Sequence, residues 1–407
     1  MKTPILTSLS PNAERDDVWL AWQTMLSPWR WNRQDTLLGI EKQLSSVLNG
    51  QTVTLTSSGR SAFEAVLKAL AVGEGDEVIV QAFTCVAVPA PIMWVGARPV
   101  YADIDPNTLN LDVADVERKI TPKTKAIVVQ HTFGIPANIE RLRQLAEQHN
   151  LTLIEDCAHA LGGSYQGQPL GTLGDVAILS FGRDKVISSV FGGAVTGKNA
   201  ELVKKIAQYE ADKPLPPRWW VAQQLRHPIL MALVKPLYFR GQLGKAVLVI
   251  AQKMRLTSMA VTSDEKLGRA PDHIAWRFSP ALGVLLNQQL SKLSRYTKER
   301  QATTQTYKNA VTSRFSIPAG SALLRFPYVA ATPAEFFLEA QRQQILLGDW
   351  YALPVVPVKD LTLVHYVSGS CPQAEMISRQ MINLPTYPGL TQEQRDRVIS
   401  LAQPSAL

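Results

Sequence analysis

The sequence predicts an α/β protein with a large, mostly parallel sheet and a smaller α+β domain formed by its C-terminal part. Residues 51–198 alternate short apolar runs with helical patterns, as expected for a parallel sheet covered by helices on both faces. The chain has 407 residues, which exceeds the usual size of a single domain. Because 46% of these residues are hydrophobic, the chain has enough apolar side chains for a large core.

The strands of the sheet are predicted from short apolar and β-branched runs that turn signals separate. These runs are residues 53–56, 78–81, 99–102, 126–130, 151–155 and 176–180. Helical periodicity lies between most of them, for example at 60–71 and 138–148. Further along, 281–304 is predicted to form one long helix, and short strands and helices then mix over 323–401.

Composition divides the chain into four parts. Residues 1–50 are predicted to form an N-terminal arm with helices, and 51–212 form the large domain. Residues 213–263 form a basic amphipathic insertion that interrupts the alternation of strands and helices. Residues 264–407 then contain an interface helix and the small C-terminal domain.

The cysteines and the apolar segments limit the class of protein. Three cysteines, without CxxC or Cys/His spacing, argue against a disulfide scaffold and a metal site and point to a reducing, cytoplasmic location. The first ten residues lack the apolar run of a signal peptide. No apolar stretch reaches about 18 residues, so a membrane-spanning helix is not expected.

The net charge of +8 is concentrated in the insertion. Residues 213–263 carry eight Lys and Arg and no Asp or Glu, and the rest of the chain is balanced. A general nucleic-acid binder would not confine its charge in this way, so no nucleic-acid partner is expected.

Three interpretations of the insertion remain open. Residues 214–256 would form a peripheral membrane contact at the inner face of the membrane if their apolar side chains entered the lipid interface. The side chains proposed for this are Trp219, Trp220, Leu230, Leu237, Tyr238 and Phe239. Alternatively, the segment packs on a dimer partner, or it forms a basic rim that steers an anionic substrate.

Three motifs carry the chemistry. Residues 56–61, which include Ser58, Gly59 and Arg60, lie between a strand and a helix, where they would bind a phosphate or simply cap the helix. Asp156 ends an apolar strand and His159 follows three residues later; the carboxylate would hold a cationic group or cap the loop. Lys185 follows another apolar strand and is either a solvated charge or a desolvated, nucleophilic amine.

Together these motifs suit pyridoxal 5'-phosphate (PLP). This cofactor needs a phosphate cradle, an acidic partner for its pyridine nitrogen and a lysine for its aldehyde. The Ser58 motif, Asp156 and Lys185 supply these groups in that order along the chain. A released lysine amine beside the cofactor is also suited to moving the substrate's Cα proton.

The same motifs resemble the DegT/DnrJ/StrS-type aminotransferases, fold-type-I PLP enzymes that mostly aminate keto-sugar nucleotides. The matching stretches include Gly75-Asp76-Glu77-Val78, Gly96-Ala97-Arg98-Pro99, His131-Thr132-Phe133-Gly134, Glu155-Asp156-Cys157-Ala158-His159-Ala160-Leu161-Gly162 and Leu384-Pro385-Thr386-Tyr387-Pro388-Gly389-Leu390. The resemblance implies a PLP-transferase type I fold, with a mostly parallel sheet of the seven-stranded type between helices. It also implies a homodimer whose active sites are shared across the interface.

Carried over by position, the resemblance implies that Lys185 is the Schiff-base lysine and Asp156 the partner of the pyridine nitrogen. His159 would lie by the cofactor ring, and Ser180 would hold the phosphate with Ser58, Gly59 and Arg60. A lysine at 185 favours amino transfer, because some relatives that dehydrate sugars have histidine there.

Six residues are candidates for substrate contact: Cys85, Arg183, Trp276, Arg277, Trp350 and Tyr351. Trp350 and Tyr351 lie near the place of a substrate loop in the family, or they simply pack the small domain. Some of the other candidates depart from the family pattern. Cys85 stands where the family usually has an aromatic residue, and the segment with Trp276 and Arg277 replaces one that reaches the partner's site. The predicted function is transfer of an amino group, from glutamate or another amino acid, to a keto-sugar nucleotide or lipid-linked keto-sugar in glycan biosynthesis. A PLP-binding scaffold or regulator, and a PLP-dependent sugar dehydratase or eliminase, remain the alternatives.

Overall fold

A computed structural model describes residues 3–241 and 243–403. Its centre is a seven-stranded sheet, and several two-stranded pairs accompany it. In chain order the strands are β1 (Ile5–Leu6), β2 (Thr52–Thr56), β3 (Glu77–Gln81), β4 (Thr84–Cys85), β5 (Arg98–Ala102), β6 (Thr124–Gln130), β7 (Thr152–Asp156), β8 (Ser164–Tyr165), β9 (Gln168–Pro169), β10 (Val176–Ser180), β11 (Gly193–Gly197), β12 (Arg325–Val329), β13 (Ile345–Leu346), β14 (Val355–Val356) and β15 (Met381–Pro385).

The α-helices are numbered in the same way. They are α1 (Arg15–Met25), α2 (Asp35–Val47), α3 (Gly59–Ala69), α4 (Pro89–Trp94), α5 (Val113–Lys119), α6 (Ile139–Gln148), α7 (Ala200–Ala211), α8 (Arg218–Val234), α9 (Leu243–Lys253), α10 (Pro280–Ser291), α11 (Leu293–Ala310), α12 (Pro333–Arg342), α13 (Pro372–Ser378) and α14 (Gln392–Ala402).

The central sheet has the strand order β2-β11-β10-β7-β6-β3-β5. Only β11 runs against its neighbours, β10 and β2, so the predicted mostly parallel, seven-stranded sheet is confirmed. The inner strands are buried along their whole length, as β3 and β11 show, because helices cover both faces. The carboxyl ends of β2, β10, β7, β6 and β3 consequently lie at one edge of the sheet.

The C-terminal part forms the predicted smaller α+β unit. Strands β12 and β15 pair antiparallel, and α12, α13 and α14 accompany them. Two short parallel pairs connect this unit to the rest of the chain: β13 pairs with β1, and β14 pairs with β4. The N-terminal arm and the loop after β3 are thereby held against the C-terminal part.

One predicted element is divided. The long helix expected over 281–304 is two helices, α10 and α11, which meet at Lys292. The Lys292 ammonium lies 2.7 Å from Asp16 and 2.9 Å from Asp17, so the junction is fixed to the N-terminal arm. The local sequence pattern gives no sign of this contact, because Asp16 and Asp17 are distant from Lys292 in the chain.

The insertion forms α8 and α9, and α8 packs against α1. Its Trp220 is buried beside Phe191 and Trp276, so the expectation that Trp220 enters a lipid interface is wrong for this folded chain. The neighbouring Trp219 is 63% exposed. None of the helices in the described residues is long and apolar enough to cross a membrane.

Candidate active site

The strand register assembles the three sequence motifs at one edge of the sheet. Thr56 at the end of β2 pairs with Gly193, which in turn pairs with Ser180 at the end of β10. Asp156 ends the next strand, β7, opposite Ile178. The loops after these strands enclose a cavity of about 280 Å³.

Most of the predicted site residues line this cavity. They are Ser58, Gly59, Arg60, Cys85, Asp156, His159, Ser180, Arg183, Lys185, Trp350 and Tyr351. Trp276 and Arg277 do not line it. The Trp276 ring packs 5.4 Å from Trp220, and the backbone N–H of Arg277 donates to the carbonyl of Pro214. Their predicted contact with a partner's site remains a prediction.

The start of α3 closely approaches β10. A Cβ added to Gly59 would lie 3.0 Å from the Cβ of Ser180 and 3.2 Å from its Oγ. The Ser58 Oγ accepts a hydrogen bond from the backbone N–H of Ser61 at 3.1 Å and caps the helix. The small residue at 59 therefore keeps open a polar niche at a helix N-terminus, which is a favourable place for an anion.

A hydrogen bond within its own loop orients Asp156, and the contacts of the neighbouring residue Glu155 fix the strand that carries it. Its Oδ1 accepts a hydrogen bond from the backbone N–H of Ala158 at 2.9 Å. Burial raises the pKa of this carboxyl, whereas the hydrogen bond from Ala158 and the charge of Lys185 act in the opposite direction. Glu155 points to the other face of the sheet, where it bonds His131 at 3.0 Å and the backbone N–H of Gly174 at 2.6 Å. This buried network fixes the strand end that presents Asp156.

Lys185 is held by its main chain, and its side chain is half-buried in the cavity. Asn12 donates two hydrogen bonds from Nδ2, to the carbonyl oxygens of Lys185 at 2.5 Å and of Val186 at 3.0 Å. Burial lowers the pKa of the Lys185 amine, with the nearby Arg325 charge acting in the same direction. A larger fraction of the amine is consequently uncharged near neutral pH, as a nucleophile requires.

Stacked rings form one wall of the site. His159 stacks on Trp350 with the ring centroids 5.5 Å apart and on Phe133 at 6.0 Å. The Arg325 guanidinium lies 3.5 Å from the Trp350 ring centroid, and the Lys185 Nζ lies 5.2 Å from it. Burial, together with the charges of Lys185 and Arg325, lowers the pKa of His159 well below its usual value. His159 is therefore a neutral ring at physiological pH.

Two arginines of the cavity are anchored from outside the sheet. Arg60 forms an ion pair with Glu265 and donates to the carbonyl of Ala260 at 3.2 Å. Arg183 donates to the carbonyl of Ser258 at 2.5 Å and to Gln224 Oε1 at 3.3 Å. Burial lowers the pKa of each guanidinium to about 10, so both remain charged at neutral pH.

Several residues in or beside the cavity were not predicted from the sequence. Asn12 and Arg325 are far from Lys185 in the chain, and no local pattern marks them. Gln130 also lines the cavity. It ends β6 at the same sheet edge, so the strand-end rule that selected Asp156 would have found it.

The architecture matches that of solved aminotransferases. NtdA from Bacillus subtilis, solved with bound cofactor PMP, has a TM-score of 0.74 at 21% identity, and the match covers 99% of this chain and 85% of that chain. The fold is that of the type I PLP-dependent aminotransferases.

Sequence comparison identifies the family. Residues 16–215 and 250–403 match the DegT/DnrJ/EryC1/StrS aminotransferase family, and the chain belongs to it. The predicted family resemblance is thus confirmed. Residues 216–249, which include α8 and the first part of α9, lie outside the matched ranges.

Two curated relatives show how far the similarity extends. A pleiotropic regulatory protein of Geobacillus stearothermophilus is 30% identical over 352 residues, covering 84% of this chain and 82% of that protein. GDP-perosamine synthase of Escherichia coli O157:H7 is 36% identical over 184 residues, covering 45% of this chain and 50% of the synthase. The match therefore spans about half the length of that synthase.

Proposed function

We propose that this protein is a PLP-dependent aminotransferase that moves an amino group from an amino acid to a keto-sugar. The observation that carries the proposal is the convergence of Lys185, Asp156 and the Gly59–Ser180 niche on one cavity. These groups come from three separate strand ends, and each matches one requirement of the cofactor.

The residues present fit the cofactor on structural grounds. A Cβ at position 59 would crowd the niche that Ser58 and Ser180 border, which explains why a residue without a side chain suits it. Asp156 is a buried carboxylate with a cationic neighbour, Lys185, and such a carboxylate suits a protonated ring nitrogen. The Lys185 amine is buried and faces the same cavity.

In this assignment, Lys185 would hold the cofactor's aldehyde, Asp156 its ring nitrogen, and Ser58, Gly59 and Ser180 its phosphate. The cofactor supplies an electron-accepting ring that makes loss of a substrate Cα proton feasible. Once the amino-acid substrate has displaced it from the aldehyde, the Lys185 Nζ would take up and return that proton. Its lowered pKa brings the free amine closer to the pH range in which both steps occur.

The surrounding side chains control water and charge. The stacked rings of His159 and Trp350 cover one side of the chamber and limit the entry of water beside Lys185. Because the His159 ring is neutral, it adds no positive charge that would oppose protonation of the Lys185 amine. The Arg60 guanidinium is paired with Glu265. Arg60 would therefore attract the phosphate at long range instead of contacting it directly.

The acceptor and the donor are inferred from relatives. The names of the similar GDP-perosamine synthases and of an aminotransferase for 2-deoxy-scyllo-inosose place amino transfer to sugars and cyclitols among the relatives. We extend this to a keto-sugar acceptor, nucleotide-linked or lipid-linked, with glutamate as the donor. We also propose that the chain divides at 212/213 and 263/264, so that the insertion between these positions is a separate functional part.

Visible absorption of the purified protein tests this function. The protein supplied with PLP is expected to show a visible band that glutamate abolishes, and Lys185→Ala is expected to lack the band. Lys198→Ala, which changes an exposed lysine of the same domain, is the matched control and should behave as the native protein. A protein that takes up no PLP at Lys185 would overturn the enzyme assignment.

A regulator with little turnover is the second candidate. The observation that favours it is the name of the Geobacillus relative, a pleiotropic regulatory protein. The same experiment separates the two candidates, because a scaffold would bind PLP without exchanging amine with glutamate. Product analysis with a keto-sugar then separates amino transfer from dehydration or elimination.

We also propose that the insertion contacts an anionic membrane surface. Helix α9 packs Gly244 and Ala251 inward, yet its outward face is apolar as well. The outward side chains are Leu243, Val247, Ile250 and Met254, which are 58%, 40%, 55% and 64% exposed. Their spacing places them on one face, and the surrounding insertion carries only basic charges. This combination suits anionic lipid.

Co-sedimentation with vesicles of phosphatidylcholine and phosphatidylglycerol tests the contact. The native protein is expected to sediment with these vesicles and to be released by salt, and the double variant Val247→Glu, Ile250→Glu is expected to stay in solution. Leu338→Glu, at a 57% exposed apolar residue of α12, is the control. Unchanged sedimentation of the double variant, or equal binding to vesicles of phosphatidylcholine alone, would contradict the proposal.

A homodimer completes the proposal. The N-terminal helices expose large apolar side chains, among them Trp19 at 60%, Trp29 at 71% and Leu38 at 66%. Exposed patches of this kind mark contact surfaces, and we assign this one to a second copy of the chain. Light scattering should give twice the chain mass for the native protein and a smaller mass for Trp19→Glu combined with Leu38→Glu. A native monomer would refute the assignment.

A further inference from the structure

A second cavity lies beside the one that contains Lys185. Its volume is about 360 Å³, and the two cavities share Arg183, Asp184, Ala260, Val261 and Pro357 in their walls. Residues 8–10 of the N-terminal arm form one side of it, and α8, α9 and the segment 257–261 form much of the rest. Three lining residues, His227, Met231 and Leu248, lie outside the family match and thus help to enclose a space that adjoins the cavity with Lys185.

Positive charge is in excess in this second cavity. Among the described residues, Arg183 donates hydrogen bonds only to the neutral groups of Ser258 and Gln224, and its buried Nε has no hydrogen-bond partner there. Within the described residues, neither Arg183 nor Lys266 forms an ion pair with an Asp or Glu. Asp184 is the acid of this lining, and its Oδ1 already accepts a hydrogen bond from the backbone N–H of Ser10 at 3.2 Å. The charge of Asp184 acts on Arg183, so this lining sets two cations, Arg183 and Lys266, against one acid. The remaining positive charge favours an anionic ligand.

The insertion is fixed to the N-terminal arm at this cavity. His227 is buried, and its two ring nitrogens lie 3.0 Å from the hydroxyl oxygens of Thr257 and Ser10. Lys235 donates to the carbonyl of Ser10 at 2.5 Å. These contacts hold α8 against the arm, so the cavity is built by tertiary contacts rather than left between loose loops.

Much of the remaining lining is apolar and includes Leu9, Met231, Leu248 and Met259. The His227 ring also lines the cavity, but its two nitrogens already bond Thr257 and Ser10. A nucleotide base is usually held by stacking or by several polar groups. Here His227, Thr257 and Ser10 are bonded to one another, so their hydrogen-bonding groups are largely taken up within the protein. A zwitterionic amino acid has too little apolar surface to use these side chains.

We propose that this second cavity binds a phosphate ester of an apolar chain, with the phosphate at Arg183 and Lys266 and the chain against Met231, Leu248 and Met259. The proposal rests on the proposed function and deepens it, because it selects a lipid-phosphate-linked acceptor over a nucleotide-linked one. Arg183 lines both cavities, so a phosphate bound there would place the attached sugar toward Lys185.

Calorimetric titration of the PLP-loaded protein tests this inference with farnesyl phosphate as the probe. Farnesyl phosphate is expected to bind at least tenfold more tightly than farnesol, inorganic phosphate or uridine diphosphate. Leu248→Glu should weaken its binding at least tenfold. Val249→Glu, the adjacent residue at 49% exposure on the outer side of the same helix, is the matched control and should leave the affinity unchanged.

Lys266→Gln tests the charge independently of helix α9. It should weaken binding of farnesyl phosphate and leave that of farnesol unchanged. Equal affinity for farnesol and farnesyl phosphate, unchanged binding in Leu248→Glu, or tighter binding of uridine diphosphate would each overturn the proposal. The response of the visible band to glutamate is recorded on the same samples. Loss of that response with farnesyl phosphate binding intact would mean that the proposed function, and not this site, has failed.

Discussion

Asn12 and Lys185 are 173 residues apart in the chain, yet the Asn12 side-chain amide donates to the Lys185 carbonyl at 2.5 Å. The Asn12 Oδ1 in turn accepts a hydrogen bond from Arg300 at 2.8 Å. A residue of the N-terminal arm therefore connects a buried arginine of α11 to the main chain of Lys185. This contact positions Lys185 from outside the sheet.

Replacing Asn12 should loosen that positioning. In Asn12→Ala the carbonyl oxygens of Lys185 and Val186 lose their buried donor, which costs about 1–3 kcal/mol. We expect a lower melting temperature and weaker retention of PLP, measured by thermal unfolding and by the visible band during dialysis. Asn287→Ala, which removes one exposed hydrogen bond to Gln43, is the control and should change neither quantity. An unchanged band in Asn12→Ala would contradict the positioning role.

A methyl group at position 59 should fill the niche at the start of α3. Because its Cβ would lie 3.0 Å from the Cβ of Ser180, Gly59→Ala should bind PLP at least tenfold more weakly while the chain remains folded. Fluorescence titration with PLP and far-UV circular dichroism give the two readouts. Gly39→Ala serves as the comparison, because apart from its own helix backbone a Cβ there meets no atom of the described residues within 4 Å. Equal affinity of the two variants would show that the niche does not hold the phosphate.

Neutralising Asp156 should affect proton transfer more than folding. Asp156→Asn keeps the shape of the side chain but cannot stabilise a protonated ring nitrogen. We expect amine loading from glutamate to slow by a factor on the order of 10² or more, in line with the loss of an acid–base partner. Stopped-flow absorption measures this rate. A native rate in Asp156→Asn would show that the Asp156 carboxylate has no role in amine loading.

The buried group formed by Glu64, Glu210 and Lys213 should make stability depend on pH. Burial raises the pKa of Glu210 to about 7, and the charge of Glu64 acts in the same direction, whereas Lys213 opposes both. Its folded-state pKa is above the unfolded value of 4.5, so its favourable contribution is complete below pH 4.5 and is lost as the pH rises through about 7. Glu210→Gln should therefore become more stable relative to the native protein over this range, by about 3 kcal/mol at most.

Urea unfolding at several pH values measures this difference. A difference between native protein and Glu210→Gln that stays constant from pH 4.5 to pH 8 would show that Glu210 titrates normally in the folded state. Glu339→Gln is a suitable comparison, because Glu339 is an exposed carboxylate of α12 and lies outside such a buried group.

The fold was largely predictable from local pattern. Each of the six predicted strands overlaps an observed strand of the central sheet, because fully buried parallel strands require continuous apolar runs. Strand β11 was not predicted as a strand, since its sequence Gly193-Ala194-Val195-Thr196-Gly197 is rich in small residues. The break at Lys292 was also missed, because the acids that fix it lie in the N-terminal arm.

The main groups of the candidate site were predictable from the sequence, whereas the residues around them depend on the tertiary structure. Lys185, Asp156 and the Ser58–Gly59 step follow strand ends, and parallel strands bring their carboxyl ends to one edge, so the sequence alone determined that these groups meet. Asn12, Arg325 and the partners of Arg183 reach the site through contacts between distant segments. Those contacts depend on how the insertion and the N-terminal arm pack, and no local periodicity encodes that packing.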